Sequence, residues 1–306
     1  MNYIKLIKKN KYFILAALLF ILFLLFLYFL FGGFKQKTYK EKFDPNNKDI
    51  IFVTAFSDIG RDKWSHSKRT NDQYFSWFYN LADNIEYKLL VFIDDDIRDE
   101  LFSKYSFRDN IEFYNRSDAN TFLDNETYLQ REQMILDSDE FKNKIPQKRL
   151  GKAPETWNAK YNLSGHSKVN YIKRTKELYP DYTFYSWIDF GYVRNNINNV
   201  PRNLQIDKIP PKIVGDAFYI PDKKLHEHEV LQINNSIFKG GGIIVHKHFV
   251  ESFHDNYEQK LIHWQNNYIC DDDESAFLQL YFDDPHSFHI ITDKSWFSIY
   301  KHFMSD

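Results

Sequence analysis

The chain has 306 residues and a formal net charge of −2, from 40 lysine and arginine residues against 42 acidic residues. Apolar residues make up 43% of the sequence, which excludes a disordered polymer, and the single cysteine excludes a disulfide scaffold or a cysteine-based zinc site. The charge is unevenly divided, because residues 1–49 hold nine lysines and three acids, a net of +6, and residues 50–306 carry the remaining −8. The acidic part argues against binding to nucleic acid.

A basic tail, residues 1–11, precedes twenty consecutive uncharged residues, Tyr12–Phe31. As a helix this run is about 30 Å long, the thickness of the hydrocarbon core of a bilayer. Bulky side chains continue to its end, which predicts an uncleaved anchor in a lipid bilayer rather than a signal peptide. Lysines flank the run on both sides, so the excess of positive charge that would indicate which end is cytoplasmic nearly cancels. The short tail and the large following domain favour a single-pass protein with a cytoplasmic N-terminus and a lumenal or extracytoplasmic domain.

Residues 32–49 are polar and contain Gly32-Gly33 and Asp44-Pro45, a pattern typical of a short stem before the domain 50–306. Within that domain, short β-branched runs alternate with helical patterns. The predicted strands are Ile50–Ala55, Lys88–Ile93, Ile111–Tyr114 and Tyr182–Ile188, and the predicted helices are Arg69–Ala82, Ser138–Lys144, Ser167–Tyr179, Phe249–Trp264 and Ala276–Phe282. The alternation predicts a single Rossmann-like α/β domain, with a mostly parallel sheet flanked by helices and ligands at the carboxyl ends of the strands.

Acidic residues follow several of these elements. Asp189 ends an aromatic strand, where a carboxylate can hold a divalent cation or simply cap the strand. The run that begins at Asp94 follows another strand and could contact a metal, a base or a ribose, or lie in a solvated turn. The segment Asp271–Glu274 precedes an apolar helix, so Asp272 and Asp273 are a helix start, candidates for a general base, or contacts to a metal.

Two glycine-containing segments also lie next to predicted strands. The loop Thr54–Trp64 combines a turn glycine with Arg61 and Lys63, which suits an anionic ligand, although a surface loop explains it equally well. It lacks the spacing of a Walker phosphate loop. Three glycines, Gly240 to Gly242, interrupt the apolar run Ile237–Val245 and allow either a tight turn or a close approach of backbone to ligand.

Sequence blocks from Ile51 to Phe277 resemble the HtrL/YibB (WlaTC) family. The blocks include TAFSDIGRDKW from residue 54, APETWNAKYNLSGHSKVNYIKR from residue 153, WIDFGYVRN from residue 187 and ICDDDESAF from residue 269. The family is poorly characterised and is associated with bacterial surface polysaccharide loci. The resemblance implies a GT-A-like glycosyltransferase fold and a nucleotide-sugar donor.

By position, the resemblance implies a metal ligand at Asp189 for Mn²⁺ or Mg²⁺. It also implies a donor-binding set consisting of Thr54, Ala55, Asp58, Gly60, Arg61, Arg69, Lys168, Asn170 and Gly191, and the position of Asp94 after a strand adds that residue as a further donor-binding candidate. Glu274 stands where the family commonly has glutamine, and the strand that ends at Asp189 lacks the second acid of an Asp-x-Asp pair.

These observations favour a membrane-anchored glycosyltransferase that transfers a sugar from a nucleotide-sugar donor to a glycan, lipid or protein acceptor. In it, Asp189 binds the metal on the donor diphosphate, Arg61 and Lys168 neutralise phosphate charge, and Asp272 or Asp273 is the base. Two alternatives remain open. One is a metal-dependent phosphoester enzyme in which Asp94, Asp189 and Asp272 converge on two metals. The other is a membrane-tethered carbohydrate-binding or structural protein with a decayed transferase site.

Overall fold

The structure is a computed structural model that describes residues 20–23, 43–233 and 236–305. The chain divides into two units, residues 1–42 and residues 43–306. The predicted tail, anchor and most of the stem lie outside the described residues, except that residues 20–23 are helical and exposed. Within the part that is described, no helix has both the length and the apolar character needed to cross a bilayer.

The described part of the second unit contains a seven-stranded sheet. Its strands are β1 (Ile50–Phe56), β2 (Lys88–Ile93), β3 (Ile111–Asn115), β4 (Phe184–Ile188), β5 (Ile213–Ala217), β6 (Phe238–His246) and β7 (Phe288–Thr292). Their order across the sheet is β3-β2-β1-β4-β6-β5-β7. Only β6 runs antiparallel to its neighbours β4 and β5. The prediction of a mostly parallel α/β sheet is therefore confirmed.

Helices cover both faces of this sheet. They are α1 (Asn71–Ala82), α2 (Asp95–Tyr105), α3 (Glu126–Asp137), α4 (Asp139–Lys144), α5 (Ala159–His166), α6 (Lys168–Leu178), α7 (Glu227–Leu231), α8 (Val250–Asn266) and α9 (Asp273–Asp283). Along β1, Ile51 and Val53 face one core cluster while Ile50 and Phe52 face the other. This alternation follows from the two-residue repeat of a strand, so each sheet face has its own core.

The structure differs from the sequence predictions in three places. Strands β5 and β7 were not predicted, and residues 116–165, which show no clear pattern, contain α3 and α5 besides the predicted α4. The three glycines do not interrupt their strand, because β6 runs through them without a turn. At Gly240 the reason for a glycine is space, since an added Cβ would lie 2.5 Å from Asp273 Oδ2.

Candidate functional site

A cleft of about 540 Å³ opens at the edge where β1 and β4 end and the antiparallel β6 begins. The loop after β7 and the start of α9 complete its walls. The predicted site residues that line the cleft are Ala55, Asp58, Arg61, Arg69, Lys168, Asp189, Gly191, Asp272 and Asp273. Residues that are far apart in the sequence therefore meet in one cavity at the carboxyl ends of the parallel strands.

Four predicted donor-binding residues do not line the cleft. Thr54 is fully buried in β1, and its hydroxyl has no hydrogen-bond partner among the described residues. Gly60 adopts a left-handed conformation (φ 73°) that shapes the loop after β1. Asp94 forms an ion pair with Arg116 at 2.7 Å. Asn170 lies on another face of α6, where its side chain contacts His254 Nε2 at 3.2 Å.

One wall of the cleft, which we call the acidic wall, consists of Asp189, Asp272, Asp273 and Glu274. The Lys168 ammonium holds it together: Nζ donates to Asp273 Oδ2 at 2.7 Å and to the Gly240 carbonyl at 2.8 Å, and lies 3.4 Å from Asp189 Oδ1. Burial alone would lower the pKa of Lys168, but the carboxylates of Asp189 and Asp273 outweigh it and raise the pKa above its ordinary value. Lys168 is therefore a fixed positive charge inside the acidic wall.

Two glycines enclose the Asp273 carboxylate. An added Cβ at Gly165 would lie 2.5 Å from Asp273 Oδ1, and one at Gly240 would lie 2.9 Å from Lys168 Nζ as well as close to Asp273. Any side chain at either position would displace the ion pair between Lys168 and Asp273. The glycines thus permit a buried charge pair that larger residues would separate.

The remaining acids of this wall are poorly compensated. Burial, and next the Asp273 carboxylate, raises the pKa of Glu274 to about 7. Burial and then the Glu274 carboxylate hold the pKa of Asp272 well above its ordinary value. One oxygen of Asp272 accepts the Ser275 N–H at 3.4 Å as the N-cap of α9, and Glu274 accepts the Gly240 N–H at 3.1 Å. The acidic wall therefore has an excess of negative charge that a bound cation would relieve.

A second wall of the cleft holds what we call the arginine cluster, Arg61, Arg69 and Arg194. Nη1 atoms of Arg61 and Arg69 both donate to the Tyr74 hydroxyl, at 2.8 and 3.4 Å. The Arg194 guanidinium lies 5.1 Å from the ring centre of Trp77 and 5.3 Å from that of Phe297. Among the described residues, no member of the cluster forms an ion pair with a carboxylate.

Three guanidinium groups in such proximity repel one another. Burial, and next the charge of Arg69, lowers the pKa of Arg194. Some N–H groups of the cluster donate to Tyr74, to the Ser67 carbonyl and to the Gly191 carbonyl. Aromatic rings lie against the guanidinium faces, and the remaining N–H groups are available to a ligand. The cluster is therefore suited to an anion with several oxygens, which would accept hydrogen bonds and remove the repulsion.

Asp58 belongs to the scaffold of the loop that carries Arg61. Its Oδ1 accepts the Gly60 N–H at 2.8 Å, and its Oδ2 accepts from Asn71 Nδ2 at 2.9 Å. The bond from Asn71, and next that from Gly60, lowers the pKa of Asp58. Both oxygens are thus used within the protein, and the carboxylate fixes the turn that presents Arg61 to the cleft.

Asp189 retains one oxygen for a ligand. Its Oδ1 accepts from Trp187 Nε1 at 2.8 Å, whereas its Oδ2 accepts no hydrogen bond from the described residues and lies beside Gly241. No group of three or more His, Cys, Asp or Glu side chains within the described ranges could enclose a metal ion. The donor set therefore fits a Mg²⁺-like ion that keeps one protein carboxylate and takes its other ligands from phosphate and water, and it does not fit an all-protein cage.

Arg194 and Trp296 are two of the cleft residues that the predicted site does not include. Arg194 follows Asp189 by five residues in the loop after β4. A basic residue so soon after the end of that strand is the sequence feature that could have identified it as part of the site. Trp296 comes from the loop after β7, a strand that was not predicted, so no local pattern placed it near the other residues.

Comparison with known proteins agrees with the sequence blocks. Residues 48–305 match the sequence profile of the family described as "Bacterial protein of unknown function (HtrL_YibB)". The chain belongs to this family. It is 26% identical over 284 residues to Protein HtrL of Escherichia coli strain K12, covering 83% of this chain and 92% of that protein. The resemblance to the HtrL/YibB family is thus confirmed, and the family description itself names no activity.

Solved structures give weaker likenesses. Mouse xyloside xylosyltransferase 1 in its apo form aligns with a TM-score of 0.40 and 11% identity over 79% of this chain and 85% of that chain. The 4-diphosphocytidyl-2C-methyl-D-erythritol synthase of Anaerococcus prevotii aligns with a TM-score of 0.37 and 12% identity over 82% and 89%. These scores are too low to support an assignment of activity.

Proposed function

We propose that this HtrL/YibB family member is a GT-A-like, membrane-anchored glycosyltransferase. It would transfer a sugar from a nucleotide-sugar donor to a glycan, lipid or protein acceptor on the lumenal or extracytoplasmic side of a membrane. The observation that carries the proposal is the presence, within one cleft, of three arginines that form no ion pair with a carboxylate of the described residues and of a carboxylate oxygen, Asp189 Oδ2, that accepts no hydrogen bond from those residues. A sugar nucleotide offers a diphosphate that matches both features.

The arginine cluster is assigned to the donor diphosphate. Guanidinium groups bind phosphate oxygens through paired N–H donors, and Arg61, Arg69 and Arg194 all line the cleft. In this assignment the diphosphate leaves as the bond from its oxygen to the anomeric carbon breaks, and the arginines stabilise the negative charge that develops on it.

Asp189 is assigned to a Mn²⁺ or Mg²⁺ ion that accompanies the donor. When bound, such an ion supplies further positive charge to the leaving diphosphate. Lys168 is fully occupied with Asp273, the Gly240 carbonyl and Asp189, so we assign it to holding the acidic wall in place rather than to contacting phosphate. Gly191 lines the cleft, but the reason for a glycine there is packing, since an added Cβ would lie 2.8 Å from Trp77 Cε3.

Asp272 is the stronger of the two predicted bases. Asp273 is held in an ion pair with Lys168 and is better described as a positioning residue. Asp272 lines the cleft, uses only one oxygen within the protein, and has a pKa raised by burial and then by Glu274. In an inverting transfer it would take the proton of the acceptor hydroxyl as that oxygen attacks the anomeric carbon.

The phosphoester alternative is not favoured by any observation at this site. It requires acids from several strand ends to converge on two metals, but Asp94 is paired with Arg116 and does not line the cleft.

The activity test is the release of nucleotide from a panel of UDP-, GDP- and CMP-sugars by the full chain, with Mn²⁺ or Mg²⁺ present. We expect release from at least one donor, a loss of at least about tenfold in Asp189→Asn, and no loss in Asp207→Asn, which changes an exposed acid outside the cleft. No release from any donor, or equal rates for both variants, would contradict the assignment.

A further inference from the structure

Trp296 projects an exposed aromatic surface at the rim of the cleft. Its side chain lines the cavity and is 47% exposed, which is unusual for a tryptophan inside a site. One face of the residue is supported, because its ring packs edge-to-face on Phe218 with centroids 5.0 Å apart. The indole N–H donates to no residue that the structure describes. The ring therefore has an open face and an available donor.

Buried polar contacts hold the loop that carries Trp296. Lys239 Nζ donates to the Asp293 carbonyl at 2.8 Å, and Ser298 Oγ donates to Asp216 Oδ2 at 2.7 Å. Lys239 and Asp216 are both buried almost completely and pair with each other at 3.4 Å. The loop is thus fixed on both sides of an exposed tryptophan, and a fixed loop can present a flat ring at no further ordering cost on binding.

The sheet order separates Trp296 from the loop after β1. Strand β7, which precedes the Trp296 loop, lies beyond β6 and β5, whereas β1 lies on the other side of β4. Asp189, at the end of β4, lies between these two sides. Trp296 packs on Phe218, which follows β5, whereas Arg194 packs on Phe297, the next residue of the same loop. If the β1 loop and the arginine cluster hold the donor, the part of the cleft beside Trp296 and Phe218 remains for the second substrate.

We propose that Trp296 is the stacking platform of the acceptor subsite and that the acceptor is therefore a saccharide. The hydrocarbon face of a pyranose ring would cover the exposed indole, and its hydroxyl groups would accept from the indole N–H. This assignment rests on the proposed glycosyltransferase function and narrows its acceptor to a glycan or to the sugar portion of a glycolipid or glycoprotein.

The test uses the full chain in a detergent with a phosphocholine head group, because glycoside detergents would compete for the platform. Wild type, Trp296→Ala, Trp296→Phe and the control Phe107→Ala are applied to an array of immobilised glycans. Phe107 is 64% exposed and does not line the cleft. Thermal unfolding of the same samples with UDP, GDP and CMP reports donor binding.

We expect wild type and Phe107→Ala to bind a common set of glycans, Trp296→Ala to lose about tenfold in affinity, and Trp296→Phe to lose less. Nucleotide-induced stabilisation should be the same in all four proteins. The proposal is overturned if wild type binds no glycan, if Trp296→Ala binds as wild type does, or if it loses nucleotide stabilisation instead, since the ring would then stack on the base. Trp296-dependent glycan binding without any nucleotide effect would support the platform and contradict the transferase assignment.

Discussion

The two walls of the cleft hold charge in opposite ways. In the acidic wall, Lys168 lies between the buried Asp273 and the partly exposed Asp189, and glycines pack against the pair of Lys168 and Asp273. The arginine cluster rests on aromatic rings, and its charges face one another without acidic partners in the described part of the chain. Lys168 therefore neutralises part of the charge of the acidic wall, whereas the charge of the arginine cluster would be neutralised by a bound anion.

This difference has an energetic consequence. Removing one partner of a buried ion pair leaves a charge without compensation, which is strongly destabilising. Removing one member of a group of like charges relieves repulsion instead. Loss of one positive charge should therefore lower the free energy of unfolding much more in the acidic wall than in the arginine cluster.

The largest effect is expected from Lys168→Met. The substitution leaves Asp189 and Asp273 facing each other in a buried site and should lower the free energy of unfolding by about 3 kcal/mol. Arg194→Met, on the other wall, should change it by less than about 1 kcal/mol. Urea unfolding of the full chain, followed by tryptophan fluorescence, measures both. Equal losses in the two variants would contradict the contrast between the walls.

A smaller effect is expected from Gly240→Ala, because the new methyl group would lie 2.5 Å from Asp273 Oδ2 and force the ion pair to move. We expect a loss of about 2 kcal/mol in the same unfolding experiment. Gly215→Ala is the matched control in the neighbouring strand, since its Cβ would meet Phe238 at an ordinary 3.4 Å. If both alanines are tolerated equally, close packing around Asp273 does not stabilise the acidic wall.

The acidic wall also predicts a dependence on pH. Burial raises the pKa of Glu274 to about 7, above the value of an unfolded glutamate, so the folded state binds the extra proton. The stability that this proton provides is complete below about pH 4.5 and is lost as the pH rises through about 7. Glu274→Gln should therefore gain about 2 kcal/mol relative to wild type between pH 5 and pH 8.

The control for this comparison is Glu100→Gln, which changes an exposed glutamate of α2. Its difference from wild type should be the same at pH 5 and pH 8. A Glu274→Gln difference that is equally constant over this interval would contradict the raised pKa of Glu274.

The sequence predicts the acidic wall much better than the arginine cluster. Asp189 follows an apolar strand and Asp272 directly precedes a helix, so local pattern places both at element ends. The members of the arginine cluster come from the loop after β1, the approach to α1 and the loop after β4. Nothing local indicates that these segments meet, because the meeting depends on the pairing of β1 with β4.

Two further differences have simple physical causes. Lys168 and Asn170 fall in one block of sequence, but two residues along a helix are about 200° apart, so only Lys168 reaches the cleft. Strand β5 contains Gly215 and Asp216, residues that are rare in strands. This segment forms a strand because it pairs with β6 on one side and with β7 on the other. Tertiary contacts decide both features.

The central claim is that the arginine cluster and Asp189 together bind a nucleotide phosphate. The direct measurement is thermal unfolding of the full chain with UDP, GDP or CMP, with and without Mn²⁺, for wild type, Arg194→Gln and the surface control Arg98→Gln. At 100 times the dissociation constant a nucleotide should stabilise wild type and Arg98→Gln by about 2.7 kcal/mol. We expect Mn²⁺ to increase this stabilisation and Arg194→Gln to lose most of it. Stabilisation of Arg194→Gln equal to that of wild type would contradict the binding of phosphate by the arginine cluster.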